Sequence, residues 1–216
     1  MAARSRSSRL AAAVNFASSI VARRGTLRSL YYDALKHWDE SEALARRLHV
    51  VYKGGKPIPG HASEAHLLED AHTAASSAAQ DAANSLAILV DASLRRLAGE
   101  GHIARLNRFG KRYGDATLSE AMSLLATHVR HVWDWRNNPG DSTGDETRKR
   151  IKEKLHVNPT EDRAVARYVM MLRDHLGVPS YDEFEYGLLS IARRVANREG
   201  YQLRILGARV QAEPLA

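Results

Sequence analysis

The sequence predicts an all-α protein, an up-and-down bundle of four to six helices with a basic N-terminal arm. Apolar residues recur at helical spacing in long segments, and Gly- or Pro-containing breaks separate those segments. No alternating pattern is strong enough to predict a sheet. We therefore expect a basic arm or helix over residues 1–25, a single bundle domain over 26–200 and a C-terminal extension over 201–216.

The central predicted helix covers residues 117–136. Thr117 lies three residues before Glu120, which is the pattern of a capping box. The helix is predicted to end at 137–140, where Asn-Asn-Pro-Gly cannot continue it. Its buried face is predicted to consist of the apolar residues Leu118, Met122, Leu124, Leu125, Val129 and Val132.

The remaining helices follow from the same criteria. Ser63 is predicted to cap the longest one, and Ser180 with Glu183 is predicted to form a second capping box. Weak alternation over 201–210 leaves a strand, an extra helix or an extension open for that segment. The predicted ranges are 10–23, 27–51, 64–97, 145–155, a helix that starts at 158–161 and ends at Gly177, and 181–198.

The composition bounds the functional classes. With 44% hydrophobic and 26% charged residues, the chain has the composition of a soluble globular protein. The absence of cysteine excludes a disulfide scaffold and a Cys-type zinc site. No apolar run approaches the roughly 18 residues of a membrane span. We expect a cytoplasmic protein with no membrane association.

The formal net charge of +7 favours polyanionic partners, although an Arg-rich proteome explains it equally well. One basic group lies in the arm, whose composition is also that of an organellar transit peptide. The other interleaves with Phe109 and Tyr113 in a connector, a pattern that suits stacking and phosphate contacts. A solvated surface is the alternative for both groups. The candidate nucleic-acid-binding residues are Arg4, Arg6, Arg9, Arg105, Arg108, Lys111 and Arg112.

The end of the central helix carries a family resemblance. Arg130, His131, Asp134 and Trp135 match an Arg/Lys-His-x-x-Glu/Asp-Trp signature, after a long Ala/Leu-rich helix and a glycine break. The chain resembles HEPN-type bacterial helical proteins in this respect. The resemblance implies a four- or five-helix bundle that often forms homodimers. It also implies action on RNA in toxin–antitoxin, CRISPR or phage-defence systems.

Many HEPN-type domains are RNases that need no metal, so the resemblance implies no cofactor. Their site is an Arg, usually followed by a polar residue, with a His four to six residues further on. Arg130 and His131 open this pattern, and so does Arg136, but no His follows either at that distance. If the site is active, His131 would act as the base, Arg130 as the phosphate stabiliser, and Asp134 beside them. The departure predicts a degenerate or inactive RNase.

The same residues have a structural interpretation. Arg130 is able to pair with Asp134, and His131 to stack on Trp135, because residues four apart share a helix face. The alternative function is a non-enzymatic helical interaction module whose basic surface binds nucleic acid or an acidic protein. Two Glu-x-x-His pairs, at 69–72 and 153–156, are interpreted as surface residues, and no metal site is predicted.

Overall fold

The computed structural model describes residues 6–98, 106, 110–137, 142–161 and 163–215. This part of the chain confirms the all-α prediction, because it consists of helices with only short strand pairs. The helices are α1 (Arg6–Ala22), α2 (Arg24–Val51), α3 (Ala62–Ala98), α4 (Leu118–Asn137), α5 (Ser142–Leu155), α6 (Ala164–Asp174) and α7 (Tyr181–Arg198).

Both predicted capping boxes supply their N-cap hydrogen bond. The amide of Glu120 donates to Thr117 Oγ1 over 3.3 Å, and that of Glu183 donates to Ser180 Oγ over 3.4 Å. Helix α6 instead begins later than predicted. Asn158 closes a turn first, by accepting the Thr160 amide on Oδ1 at 3.2 Å, so the helix begins only at Ala164.

The strands form antiparallel pairs of consecutive segments. They are β1 (Tyr52–Lys53) with β2 (Lys56–Pro57), β3 (Arg112–Tyr113) with β4 (Ala116–Thr117), and β5 (Tyr201–Leu206) with β6 (Arg209–Pro214). The last pair shows that the C-terminal segment, for which the sequence left a strand, an extra helix or an extension open, is a β-hairpin. Gly207 has φ 61° at its turn, a value that glycine adopts at little cost. Strand β5 packs on α7 and β6 on α1.

The main core lies around the C-terminal half of α3. This helix packs against α1, α2, α4 and α6, and α1 closes the bundle against α7. Phe16 and Ile20 of α1 are 2% and 0% exposed, so most of the predicted N-terminal arm belongs to the bundle. Among the described residues, no helix combines the length and the apolar character needed to span a membrane.

The N-terminal half of α3 and the C-terminal half of α2 form a separate structure. We call residues 43–79 the distal arm. Its apolar cluster consists of Val51, Ala65 and Leu68, flanked by Leu44, Leu48 and Tyr52, and it is distinct from the main core. Helix α6 contacts the base of the arm, where the Ala166 amide donates to Gln80 Oε1 over 3.1 Å.

Candidate functional site

The end of α4 that carries the family signature lies against the C-terminal half of α3. Asp91 of α3 is fully buried and lies between two arginines. Arg95 Nε, one turn later on α3, donates to Asp91 Oδ2 at 2.7 Å. Arg130 Nη2 from α4 donates to the same oxygen at 2.6 Å. We call these three residues the Asp91 cluster.

The Asp91 cluster joins a buried anion to two accessible cations. The side chains of Arg95 and Arg130 are 51% and 37% exposed, whereas that of Asp91 is 0% exposed. Asp91 Oδ1 has no hydrogen-bond partner among the described residues. The carboxylate therefore holds both guanidinium groups in place while neutralising only one of their two charges. Each guanidinium has further N–H groups that are able to donate to an anion in solvent.

His131 and Asp134 lie on the solvent side of α4. The His131 Nδ1 atom is 3.5 Å from Asp134 Oδ2, and the two side chains are 50% and 71% exposed. The His131 ring stacks on Trp135, with centroids 6.1 Å apart and planes 26° apart, as the structural interpretation predicted. The predicted Arg130–Asp134 pair is replaced, because Arg130 faces the buried Asp91 on α3 while Asp134 faces solvent beside His131.

Trp135 is the anchor of this end of α4, and it is 8% exposed. The His128 ring meets it edge-on at 5.9 Å, and the Arg148 guanidinium lies 5.7 Å from its centroid. A Cβ atom at Gly144 would lie 2.6 Å from Trp135 Nε1, so α5 requires glycine at this point.

His128 is a site residue to which the sequence analysis assigned no role. It is 2% exposed, and its Nε2 lies 2.7 Å from the carbonyl oxygen of Pro159. A carbonyl only accepts, so the Nε2 atom carries the proton and donates. The available signal was periodicity, since His128 follows Leu125 by three positions on the buried face of α4. A histidine on that face joins α4 to the turn before α6.

Three of the seven predicted nucleic-acid-binding side chains lie within the described residues, namely those of Arg9, Lys111 and Arg112. Arg4, Arg105 and Arg108 lie outside the described residues, and so does the Arg6 side chain. Arg9 pairs with Glu199 at 2.9 Å. Lys111 and Arg112 precede the N-terminus of α4, so they lie at the opposite end of this helix from Arg130. There, Lys111 Nζ lies 5.4 Å from the Tyr113 ring centroid, and Arg112 Nη2 donates to the Asp115 carbonyl at 2.7 Å.

Arg150 and His156 are six residues apart, which is the spacing of HEPN-type sites. Arg150 Nη2 donates to Glu120 Oε1 at 3.1 Å, and His156 Nε2 lies 2.7 Å from Asp115 Oδ2. Both carboxylates flank the N-terminus of α4, so this pair lies at the other end of α4 from Arg130. The φ of 54° at His156 follows from its position directly after α5, where helices commonly end in a left-handed residue.

The two Glu-x-x-His pairs make local contacts. Glu69 accepts a hydrogen bond from the Tyr52 hydroxyl and lies 3.4 Å from His66, and Glu153 lies 4.0 Å from Lys149. No group of three or more His, Asp or Glu side chains that would suit a metal ion occurs in the part of the chain that the structure describes.

Comparison with known proteins gives no further assignment. No protein-family model matches the chain, and no curated protein or solved structure matches it either. The functional proposal therefore depends on the geometry of the Asp91 cluster and on the resemblance carried by Arg130, His131, Asp134 and Trp135.

Proposed function

We propose that this chain is a HEPN-like helical protein that binds RNA phosphates at the Asp91 cluster and is a degenerate RNase. One observation carries the proposal: half-exposed Arg95 and Arg130, from two helices, converge on one oxygen of a buried carboxylate. The setting in bacterial defence or toxin–antitoxin systems comes from the resemblance alone. It adds the expectation that the polyanion is RNA.

The physical basis is a pair of pre-positioned guanidinium groups. Free arginine side chains lose conformational entropy when they bind an anion, and groups that are already held lose less. Asp91 holds Arg95 and Arg130 by charge-assisted hydrogen bonds from below, so their outer N–H groups are directed toward solvent. Arg96, also exposed, adds a cation in the same last turn of α3. Planar guanidinium groups match phosphate geometry well.

The geometry favours binding of RNA without its cleavage. Arg130 and His131 are consecutive on α4, so their side chains point in different directions. Arg130 is engaged with Asp91, and His131 stacks on Trp135. A base and a phosphate stabiliser must meet at one phosphate to promote cleavage. With no histidine four to six residues further along the helix, the second group of such a site is missing.

The test is the binding of a fluorescent single-stranded RNA at several salt concentrations, measured by anisotropy. Asp91→Asn keeps a side-chain oxygen that accepts from both guanidinium groups and removes one negative charge beside them, so it should tighten binding. The triple variant Asp91→Asn/Arg95→Gln/Arg130→Gln should weaken binding and lower the salt slope by about 1.4, at about 0.7 per lost phosphate contact. Comparing these two variants keeps residue 91 constant, so that no buried carboxylate is left unpaired.

Arg204→Gln is the matched control, because Arg204 is a half-exposed arginine that pairs with Glu213 at 2.8 Å on the β-hairpin. It should leave the affinity and the salt slope nearly unchanged. Equal affinities for Asp91→Asn and the triple variant would contradict the proposal. Cleavage of the RNA by wild-type protein that is lost in His131→Ala would contradict the degenerate-RNase part and leave the binding part standing.

A further inference from the structure

One flank of the distal arm exposes two large apolar side chains. Val50 of α2 and Leu67 of α3 are 75% and 71% exposed, the highest values among the large apolar residues that the structure describes. Each immediately precedes a residue of the arm cluster, Val51 or Leu68. In two antiparallel helices, this relation places both side chains on the same flank and at the same level along the arm.

Small apolar residues extend this flank toward the bundle. Ala71, Ala74 and Ala78 follow Leu67 at four, seven and eleven residues, so the four side chains share one helix face. Ala71 and Ala74 are exposed, and Ala78 is half-buried. On α2, Ala43 lies seven residues before Val50 and is also exposed. Alanine at these positions allows a close approach of another helix.

Helix α6 packs at the base of the arm, on the side opposite to this flank. The Arg163 guanidinium lies 4.9 Å from the centroid of the Trp38 ring, and the Ala166 amide donates to Gln80. Trp38 and Gln80 lie on the helix faces that point away from Val50 and Leu67. Nothing in the part of the chain that the structure describes covers the exposed flank.

The two halves of the distal arm, residues 43–61 and residues 62–79, carry opposite charges. Residues 43–61 contain no acidic residue, and residues 62–79 contain no lysine or arginine. Among the described contacts, Arg47 and Asp70 take part in no ion pair. The basic residues of the first segment are Arg46, Arg47, Lys53 and Lys56, and the acidic residues of the second are Glu64, Glu69 and Asp70.

We propose that this flank binds the same flank of a second copy of the chain. A two-fold axis parallel to the arm places α2 of one copy against α3 of the other, so basic segments face acidic ones in both halves. A perpendicular axis would place α2 against α2 and oppose like charges. The favoured arrangement brings Val50 onto Leu67 of the second copy, and Arg47 onto Asp70 of the second copy one turn further along.

The size of the flank sets the strength of this dimer. The arm segment of α3 is about 27 Å long at about 1.5 Å per residue, and two helices side by side are about 20 Å wide. The contact would therefore bury about 500–600 Å² per copy, at the lower limit for specific interfaces. We expect a weak dimer, because interfaces of this size are typical of transient complexes. The Asp91 cluster lies outside this flank, so the dimer and the proposed RNA binding fail or hold independently.

Sedimentation velocity of the full chain up to about 200 µM should show the concentration-dependent dimer, and a wild-type monomer throughout would overturn the proposal. Leu67→Asp should weaken the dimer at least tenfold. Leu206→Asp is the matched control, because Leu206 is 56% exposed on the β-hairpin, and it should leave the dimer unchanged. A dimer that survives Leu67→Asp would also overturn it.

The pairing of Arg47 with Asp70 gives a test of the arrangement. Arg47→Glu and Asp70→Arg should each weaken the dimer, and the double variant should restore it, because the charges are exchanged. The chain has no cysteine, so Val50→Cys and Leu67→Cys are single-thiol proteins. When the two proteins are mixed and oxidised, the disulfide between position 50 of one copy and position 67 of the other should form in preference to the 50–50 and 67–67 disulfides. Preferential homodimer disulfides, or no rescue by the charge exchange, would contradict the α2-to-α3 arrangement.

Discussion

Charged residues are paired in the Asp91 cluster and separated in the distal arm, although α3 runs through both regions. In the Asp91 cluster, cations from two helices converge on one buried anion inside the chain. In the distal arm, basic and acidic residues are separated onto different segments, and Arg47 and Asp70 remain without an ion-pair partner in the described structure. A charge that is paired inside the fold fixes geometry, whereas an unpaired surface charge is available to a partner.

The difference follows from packing. The C-terminal half of α3 is surrounded by α1, α2 and α4, so a carboxylate there leaves water and requires cationic partners. The N-terminal half has α2 as its main neighbour, and its apolar cluster has only Val51, Ala65 and Leu68 at its centre. Its charges remain hydrated and need no partner for folding. Substituting charged residues in the Asp91 cluster should therefore lower the stability of the fold more than matched substitutions in the distal arm.

The largest expected effect is loss of the fold in alkali. Burial raises the pKa of Tyr31, Tyr168 and Tyr181 well above the usual value near 10. A pKa that is higher in the folded state contributes stability that is present below pH 10 and is lost as pH rises further. Absorbance at 295 nm should show these core tyrosines ionising together with the loss of helical circular dichroism. Ionisation of every tyrosine while the helical signal persists would contradict the burial.

The next effect concerns the two arginines of the Asp91 cluster. Arg95→Gln/Arg130→Gln leaves a fully buried carboxylate without a cation and should cost about 3–5 kcal/mol. At roughly 2–4 °C per kcal/mol, calorimetry should record a Tm lowered by about 6–20 °C. The matched change on the distal arm, Arg46→Gln/Arg47→Gln, should stay within about 0.5 kcal/mol. Similar costs for the two pairs would refute the contrast between the regions.

A smaller effect separates the two histidines of α4. His128→Ala removes a buried ring that donates to Pro159 and contacts Trp135, so it should cost about 1–3 kcal/mol. The structural interpretation of the sequence also gave His131 a packing role on Trp135, but half of that side chain is exposed. We now expect His131→Ala to change stability by less than about 0.5 kcal/mol. A larger loss of stability for His131→Ala than for His128→Ala, measured by denaturant midpoints, would contradict this assignment.

The smallest effect compares two buried hydroxyls of the main core. Tyr31 donates to the Val178 carbonyl over 2.6 Å, whereas the Tyr168 hydroxyl has no partner among the described residues. Tyr31→Phe should cost about 1 kcal/mol, because it removes a buried hydrogen bond. Tyr168→Phe should be neutral or slightly stabilising, because it removes an unpaired polar group. Equilibrium unfolding in urea measures both, and a larger cost for Tyr168→Phe would contradict this assignment.

Local patterns predicted most of the helices. The helix at 181–198 has the predicted bounds, because a capping box and a final glycine delimit it, and α4 begins one residue after its predicted cap. The start of α6 was missed because Asn158 forms a competing turn, which depends on a side-chain hydrogen bond. The C-terminal hairpin stayed undecided because its strands are stabilised by packing on α1 and α7, which the local sequence does not encode.

The site was less predictable because its contacts are non-local. The stacking of His131 on Trp135 follows from helix periodicity, and it was predicted. Asp91 lies thirty-nine residues before Arg130, so no spacing rule connects them. Helix periodicity indicated Asp134 as the partner of Arg130, because periodicity relates only residues of the same helix. From the sequence alone, the one feature that marked Asp91 was its position as a lone acidic residue on an otherwise apolar face of α3.

The most direct test of RNA binding at the Asp91 cluster is nuclear magnetic resonance of the arginine Nε–Hε groups in ¹⁵N-labelled protein, titrated with a short oligouridylate. We predict the largest shifts for Arg95 and Arg130 and no shift for Arg204. A response confined to Arg46 and Arg47, or unchanged Arg95 and Arg130 signals at saturating RNA, would contradict the proposed site.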